Sequence, residues 1–212
     1  MIIALDGPAA AGKGTLGRAL AAHYGLPYLD TGVLYRATAR DVLAAGGDPE
    51  NAEDCVRAAR ALDPATFDDP ELRRPEIGEA ASKIARIPAV RKVLLDYQRR
   101  FARNPQGAIL DGRDIGTVVC PGADVKLFVT ASPEARAHRR HAELAAAGST
   151  LSFEEVLAQV RERDERDARR ALSPMKPAAD AHLLDTTDLG IEAAFKAAVD
   201  IIDTAVGKAG CA

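Results

Sequence analysis

Short apolar runs alternate along the chain with longer stretches in which apolar residues recur every three to four positions. The runs fall at 2–5, 26–29, 108–110, 125–129 and 182–184. The longer spacing fills 14–24, 33–44, 52–61, 77–85, 89–103, 133–146, 153–171 and 191–207. Side chains alternate across a strand but return every 3.6 residues on a helix, so the runs predict strands and the longer stretches helices. Strands separated by helices predict a five-stranded parallel sheet, an α/β fold flanked by helices on both faces. Crossovers in such a sheet are right-handed, and ligands bind beyond the carboxyl ends of the strands. The residues just after each run are therefore the ones expected to carry chemistry.

Two intervals are excursions from this alternation. One covers about 46–104, or about 31–104 with the helix that leads into it, and is rich in Asp, Pro and Arg around DPATFDDPELRRPEIG. The other covers about 148–175 and opens on GSTLSFEE, where Ser152 precedes Glu155 at the spacing of a capping box. No repeat or low-complexity tract breaks the pattern, and the tail VGKAGCA is expected to fray.

After the first run comes GPAAAGKGT, from Gly7 through Pro8, Ala9, Ala10, Ala11, Gly12, Lys13 and Gly14 to Thr15. A glycine-rich turn between a strand and a helix aims backbone N–H groups and the positive helix end at an anion. Lys13 has the spacing to reach β- and γ-phosphates, whereas a chance Gly-Lys turn would not need the preceding strand and following helix. Gly14 stands where a magnesium-ligating hydroxyl usually follows the lysine, and Thr15 comes one place late. The ion is then expected to be held mainly by phosphates and water, which Mg2+ accepts readily.

After the second run, LDTGVLYRA offers Thr31, a candidate helix cap, and Arg36, which can face the same cleft. After the third, LDGRDIGTVV offers Asp111, placed to hold a magnesium-bound water, then Arg113 and Asp114, which could equally form an internal ion pair. Arg136 and Arg140 share a helix face after the fourth run. In RERDERDARR, Arg163, Arg166, Asp167 and Arg170 fall at i, i+3, i+4 and i+7 and so share one face. That segment reads either as a solvated helix with i,i+4 pairs or as a face that closes over triphosphate.

Composition narrows the partners. A net charge of −3 over 212 residues gives no global case for nucleic acid or anionic membrane, and any basic site must be local. No run is long enough to span a bilayer, and the start lacks the basic and apolar regions of a signal peptide. Cys55, Cys120 and Cys211 are odd in number and widely spaced, which predicts thiols in a reducing cytoplasm. His23, His138, His141 and His182 are scattered and suggest no dyad or metal site.

In order, GPAAAGKGT, DTGVLYR, DGRDIGTVV, FVTASPEARAHRR, RERDERD and PAADAHLLDTT resemble the bacterial cytidylate kinases over nearly the whole chain. The resemblance implies a P-loop NTPase fold with a core, a nucleoside-monophosphate (NMP)-binding excursion and a lid. It implies transfer of the γ-phosphoryl group of ATP to CMP or dCMP with Mg2+, by a monomer that binds neither nucleic acid nor membrane. Carried over by position, ATP meets Gly7–Thr15 with Lys13, Arg136, Arg140 and Arg166. The acceptor phosphate meets Arg36, Arg113 and Arg170. Cytosine meets Ser82, Arg91 and Asp114, with Thr31 and Tyr35 lining the pocket, while Arg163 and Asp167 address the sugar. Lys13, Arg113, Arg166 and Arg170 would act on the transferring group. The chain departs from longer bacterial members, which carry an antiparallel insert where only DPATFDDPELRRP stands, so a trimmed, mostly helical NMP-binding part is expected. The acceptor oxygens are already ionised, so positioning and electrostatics suffice without a general base. Other phosphate-loop kinases, acting on AMP, UMP, shikimate or dephospho-coenzyme A, would share the loop but not the acceptor residues. A GTPase switch would need an N-K-x-D motif, which is absent, and a non-catalytic nucleotide-binding module would need no closing arginine face.

Overall fold

A computed structural model describes residues 1–169 and 173–209. Its strands are β1 (Ile2–Asp6), β2 (Tyr28–Asp30), β3 (Ala108–Gly112), β4 (Val125–Thr130) and β5 (His182–Asp185). The helices are α1 (Lys13–Tyr24), α2 (Thr31–Ala44), α3 (Ala52–Arg60), α4 (Pro75–Ile84), α5 (Pro88–Ala102), α6 (Pro133–Ala146), α7 (Phe153–Ala168) and α8 (Ile191–Ala209). The sheet order is β2-β3-β1-β4-β5, with β1 running parallel to both β3 and β4, and β4 parallel to β5. This is the five-stranded α/β sheet that the alternation of runs and helices predicts. No helix among the described residues is long and apolar enough to cross a membrane.

The chain divides into two compact units, Met1–Leu29 with the chain from Asn104 onward, and Asp30–Arg103. In the first, Ile3, Leu5, Ile109, Leu127 and Val129 of the sheet are buried with Leu16 and Leu20 of α1 and Ile202 of α8. Each such side chain contributes about 1.5–3 kcal/mol on burial. The pair α6 and α7 has a small apolar cluster of its own, Ala137, Leu144, Val156 and Val160, flanked by Phe153. Ser152 caps α7 in the expected capping box, trading bonds with Glu155.

The second unit is helical. Leu34, Ala37, Val42, Cys55, Ile77, Ile84, Val90 and Leu94 are buried within it. Two short 3-10 turns, Pro64–Thr66 and Pro70–Arg73, stand in the trimmed segment, each capped by an aspartate, Asp63 or Asp69. Arg40 of α2 binds Asp69 and Thr66 at 3.0 Å each, which ties that segment to the helices.

Several boundaries differ from the sequence expectation, each for a local reason. β2 begins at Tyr28 rather than residue 26, because the Leu26 N–H closes α1 onto Ala21 O at 3.0 Å and Pro27 has no N–H to give. α4 and α5 start at Pro75 and Pro88, since proline is well suited to the first helical position. α2 is capped by Asp30, whose side chain accepts from Gly32 N, and not by Thr31, which is the first helical residue. The expected end of α7 at 171 lies outside the described residues.

Candidate active site

The phosphate loop departs from ordinary backbone at three places. Gly7 has φ 141°, Ala10 φ 59° and Gly12 φ 91°. At Gly7 a Cβ would sit 1.9 Å from Val129 O, so no side chain fits. Three loop carbonyls are held from inside: Pro8 O by Lys13 Nζ at 2.8 Å, Ala9 O by Arg136 Nη1 at 3.3 Å, and Ala11 O by Thr186 Oγ1 at 3.0 Å. In a trans peptide the N–H points away from the C=O, so carbonyls held inward leave those N–H groups facing the other way. That geometry suits an anion at the amino end of α1. Gly14 is half-buried and Thr15 exposed.

Lys13 is 5% exposed and its Nζ lies 3.8 Å from Asp111 Oδ1. Asp111 also accepts from the Tyr28 hydroxyl at 3.2 Å. On the neighbouring strand, Asp6 ends β1 with a buried carboxylate that accepts the Ile115 and Gly116 N–H groups, each at 2.7 Å. Burial pushes the Asp6 carboxyl up to about 6, against the two N–H bonds and Lys13, while Asp114 adds to the rise.

Several arginines of this unit are committed to carboxylates. Arg113 Nε donates to Asp167 Oδ2 at 3.1 Å, and its Nη1 to Gly112 O at 3.1 Å, so Asp167 of α7 is a carboxylate partner. Asp167 and Asp114 are both buried. Arg136 is buried and grips Asp164 with both ends of its fork, at 3.0 and 2.5 Å, while its Nε donates to Ala131 O. Arg140, four residues on, turns to Glu143 at 3.1 Å. Along α7, Arg163 and Arg166 are half-buried and Asp167 fully so, while Arg161, Glu162, Glu165 and Arg169 are exposed. The helix is therefore two-sided: its outer face carries pairs such as Arg169–Glu165 at 3.4 Å, and its inner face holds the residues singled out by spacing. Arg170 lies outside the described residues.

In the second unit Arg36 Nη2 meets Asp30 Oδ2 at 2.6 Å, both partners half-buried. Thr31 is buried at the start of α2. The Arg91 guanidinium carbon stands 6.0 Å from the centre of the Tyr35 ring. The Ser82 hydroxyl is buried with no hydrogen-bond partner. A buried hydroxyl left so costs about 1–3 kcal/mol, which a ligand's polar atom would recover.

Sequence spacing did not single out Asp6, Tyr28, Asp164 or Thr186. Their partners lie 28 to 175 residues away in the chain. Asp6 alone left a trace, a carboxylate closing an otherwise apolar strand immediately before Gly7.

Comparison with known proteins places this geometry. The sequence model described as Cytidylate kinase matches residues 3–204. A cytidylate kinase of Methylocella silvestris is 59% identical over 205 residues, covering 97% of this chain and 95% of that protein. One from Azorhizobium caulinodans is 58% identical over 207 residues, covering 98% and 100%. Among solved structures, the shikimate kinase of Bacteroides thetaiotaomicron aligns over 96% of this chain and 98% of its own, with a TM-score of 0.54 and 14% identity. That likeness concerns the fold alone.

Proposed function

The chain belongs to the cytidylate kinase family, and we propose that it transfers the γ-phosphoryl group of ATP to CMP or dCMP with the side chains described above. The observation that carries the reading is Lys13, buried at the mouth of a loop whose carbonyls are held inward and within reach of Asp111. That arrangement supplies a fixed cation and a row of N–H donors for the phosphates of ATP. Fixed donors strengthen as charge develops on the transferring group, and one such donor contributes about a hundred- to a thousandfold in rate.

Around that centre the residues divide by role. Gly7 to Thr15, with Arg136 shaping Ala9 and with Arg140 and Arg166, serve ATP. Arg36, Arg113 and Arg170 hold the acceptor phosphate, whose ionised oxygen attacks without a general base. Ser82, Arg91 and Asp114 read cytosine, while Thr31 and Tyr35 line its pocket. Arg163 and Asp167 address the sugar hydroxyls. The stretch of about 31–104 acts as the NMP-binding part and about 148–175 as the lid. Support for the base-reading role comes from the partnerless Ser82 hydroxyl and from the stacking of Arg91 on Tyr35.

Mg2+, when bound, neutralises phosphate charge that would otherwise repel the acceptor. The residues present fit it. Among the described residues no three His, Cys, Asp or Glu side chains gather into a metal cluster, and Gly14 removes the usual hydroxyl. Asp111 as an oxygen donor suits an ion held through water and phosphate rather than in a protein cage. The same reading makes the chain a cytoplasmic monomer; Cys55 and Cys120 are buried thiols that form no disulfide, which suits a reducing compartment.

Coupled detection of ADP with CMP, dCMP, UMP and AMP side by side tests the assignment. CMP and dCMP should turn over at least tenfold more efficiently than the others, since about 1–3 kcal/mol attaches to a contact on the amino edge of cytosine. A preference for AMP or UMP would overturn it.

A further inference from the structure

Asp6 is used by none of the steps above, yet it is one of four buried carboxylates among the described residues, with Asp111, Asp114 and Asp167. We propose that Asp6 is a positioning residue: by accepting the Ile115 and Gly116 N–H groups it fixes the turn that carries Arg113 and Asp114 to the strand that opens the phosphate loop. The proposal rests on the reading of Arg113 and Asp114 as acceptor-side residues, and its test is separable from theirs.

The geometry is that of a cap supplied from another strand. Ile115–Val119 forms a short π-type turn, and later N–H groups find partners inside it: Val118 and Val119 bond to Asp114 O, and Cys120 to Ile115 O. The opening N–H groups of any helical turn have no partner within it and must be met from outside. Asp114 holds the capping position, but its side chain makes no capping bond. Asp6 does that work, one oxygen to each N–H at 2.7 Å. Gly116 makes the approach possible, since a Cβ there would stand 3.3 Å from Asp6 Oδ2 and 3.0 Å from Lys126 Cδ.

The next residue after Asp6 is Gly7, which packs so closely on Val129 that a Cβ there would lie 1.9 Å from its carbonyl oxygen. The turn is thus referenced to the start of the phosphate loop. Arg113 and Asp114, immediately before the bonded amides, inherit that reference. Two acceptors are required, which explains the residue type: an asparagine offers one oxygen and sets an NH2 donor against the second N–H. Charged groups near the carboxylate are Asp114 on the turn and Lys13 on α1; Lys126 of β4 lies beside Gly116, with its ammonium on Asp180 and Pro121 O.

Asp6→Asn, assayed with CMP, UMP and ATP, decides the matter together with nuclear magnetic resonance of the nucleotide-free protein. The variant should raise KM for CMP by about tenfold and shrink the CMP/UMP ratio, the loss of a charge-assisted hydrogen bond. KM for ATP should change by less than about twofold. Equal increases in both KM values, or an unchanged KM for CMP in a folded variant, would overturn the proposal. Should the variant fail to fold, wild type alone answers: the Ile115 and Gly116 amide shifts should move together with a common midpoint near 6, the value of the Asp6 carboxyl. The free protein is used because a phosphomonoester also titrates at about 6. Two amides that ignore pH there would likewise overturn the proposal. Unchanged CMP kinetics in Arg113→Ala and Asp114→Ala would instead sink the role of the turn in acceptor recognition, whatever the amides do.

Discussion

In the first unit two arginines with expected roles are already engaged: Arg113 holds buried Asp167, and Arg136 clasps Asp164 with both arms while touching the loop at Ala9. In the second, Arg36 leans on a half-exposed Asp30, Arg91 rests over Tyr35, and Ser82 keeps a buried hydroxyl that bonds to nothing. In the first unit those two cations are held before any ligand arrives, although the buried Thr117 hydroxyl and Arg166 Nε there lack a hydrogen-bond partner; in the second, the Ser82 hydroxyl is the buried polar atom held in reserve. Groups fixed in advance cost no reorganisation when charge moves, which is what a phosphoryl-transfer centre needs. An unmet buried donor is what a base-reading surface needs, because it discriminates by the penalty of staying unmet. The contrast separates rate from selectivity.

The largest break in that contrast is Lys13→Ala. It should lower kcat by about a hundred- to a thousandfold, by removing one fixed donor from the transferring phosphate. Single-turnover measurement at saturating ATP reads it, and near-normal turnover would discard the phosphate-loop assignment.

Next comes pH. Asp6 titrates at about 6 in the fold against 3.8 for an ordinary carboxyl, so between those values the folded protein keeps a proton that the unfolded chain has released. Its contribution to stability is complete below 3.8 and is lost as pH rises through about 6, about 3 kcal/mol in all. Asp6→Asn abolishes this, so urea unfolding should show the variant gaining on wild type by about that amount between pH 4 and pH 7. A difference that stays flat with pH would show that the buried carboxylate is not strained.

Arg136→Lys should cost about 2 kcal/mol in unfolding free energy, since a lysine cannot reproduce the fork and leaves Asp164 half-served. It should also raise KM for ATP more than KM for CMP, because only the donor loop is touched. Smallest in stability is Ser82→Ala. Removing an unsatisfied hydroxyl should cost no stability and should raise the unfolding free energy by about 1 kcal/mol. It should nevertheless raise KM for cytidine nucleotides by about tenfold. A loss of stability without loss of CMP use would erase the distinction between the two units.

Much of this was legible in the chain, and what was not has a common cause. The phosphate loop, the capping box at Ser152 and the order of strands follow from residues near each other in sequence, where local sterics and periodicity decide. The inner face of α7 was legible because helical spacing alone puts Arg163, Arg166 and Asp167 together. Partners were not. Nothing local says that Arg113 takes Asp167, or that Asp164 belongs to Arg136; those choices are made by packing over 54 and 28 residues of chain. Near misses were chemical rather than topological. Thr31 and Asp30 are both good caps, and the carboxylate took the place because it also holds Arg36. β2 begins two residues after its apolar run does, because Gly25 and Pro27 on either side commit Leu26 to closing α1.

The clasp of Arg136 has a thermodynamic consequence. One guanidinium joins the Ala9 carbonyl of the phosphate loop to Asp164 on α7. Two places that share a single ligand in this way are linked, and linkage runs equally in both directions. Whatever nucleotide does to the orientation of Ala9, it does at some free-energy gain or cost to the seat of α7; whatever stabilises α7 in its present seat returns the same quantity to the loop. Measured as a cycle, the change in ATP affinity on cutting Asp164 away must equal the change that ATP makes to the strength of the Arg136–Asp164 contact. The protein therefore carries, in one side chain, a messenger whose sign can be read from either end.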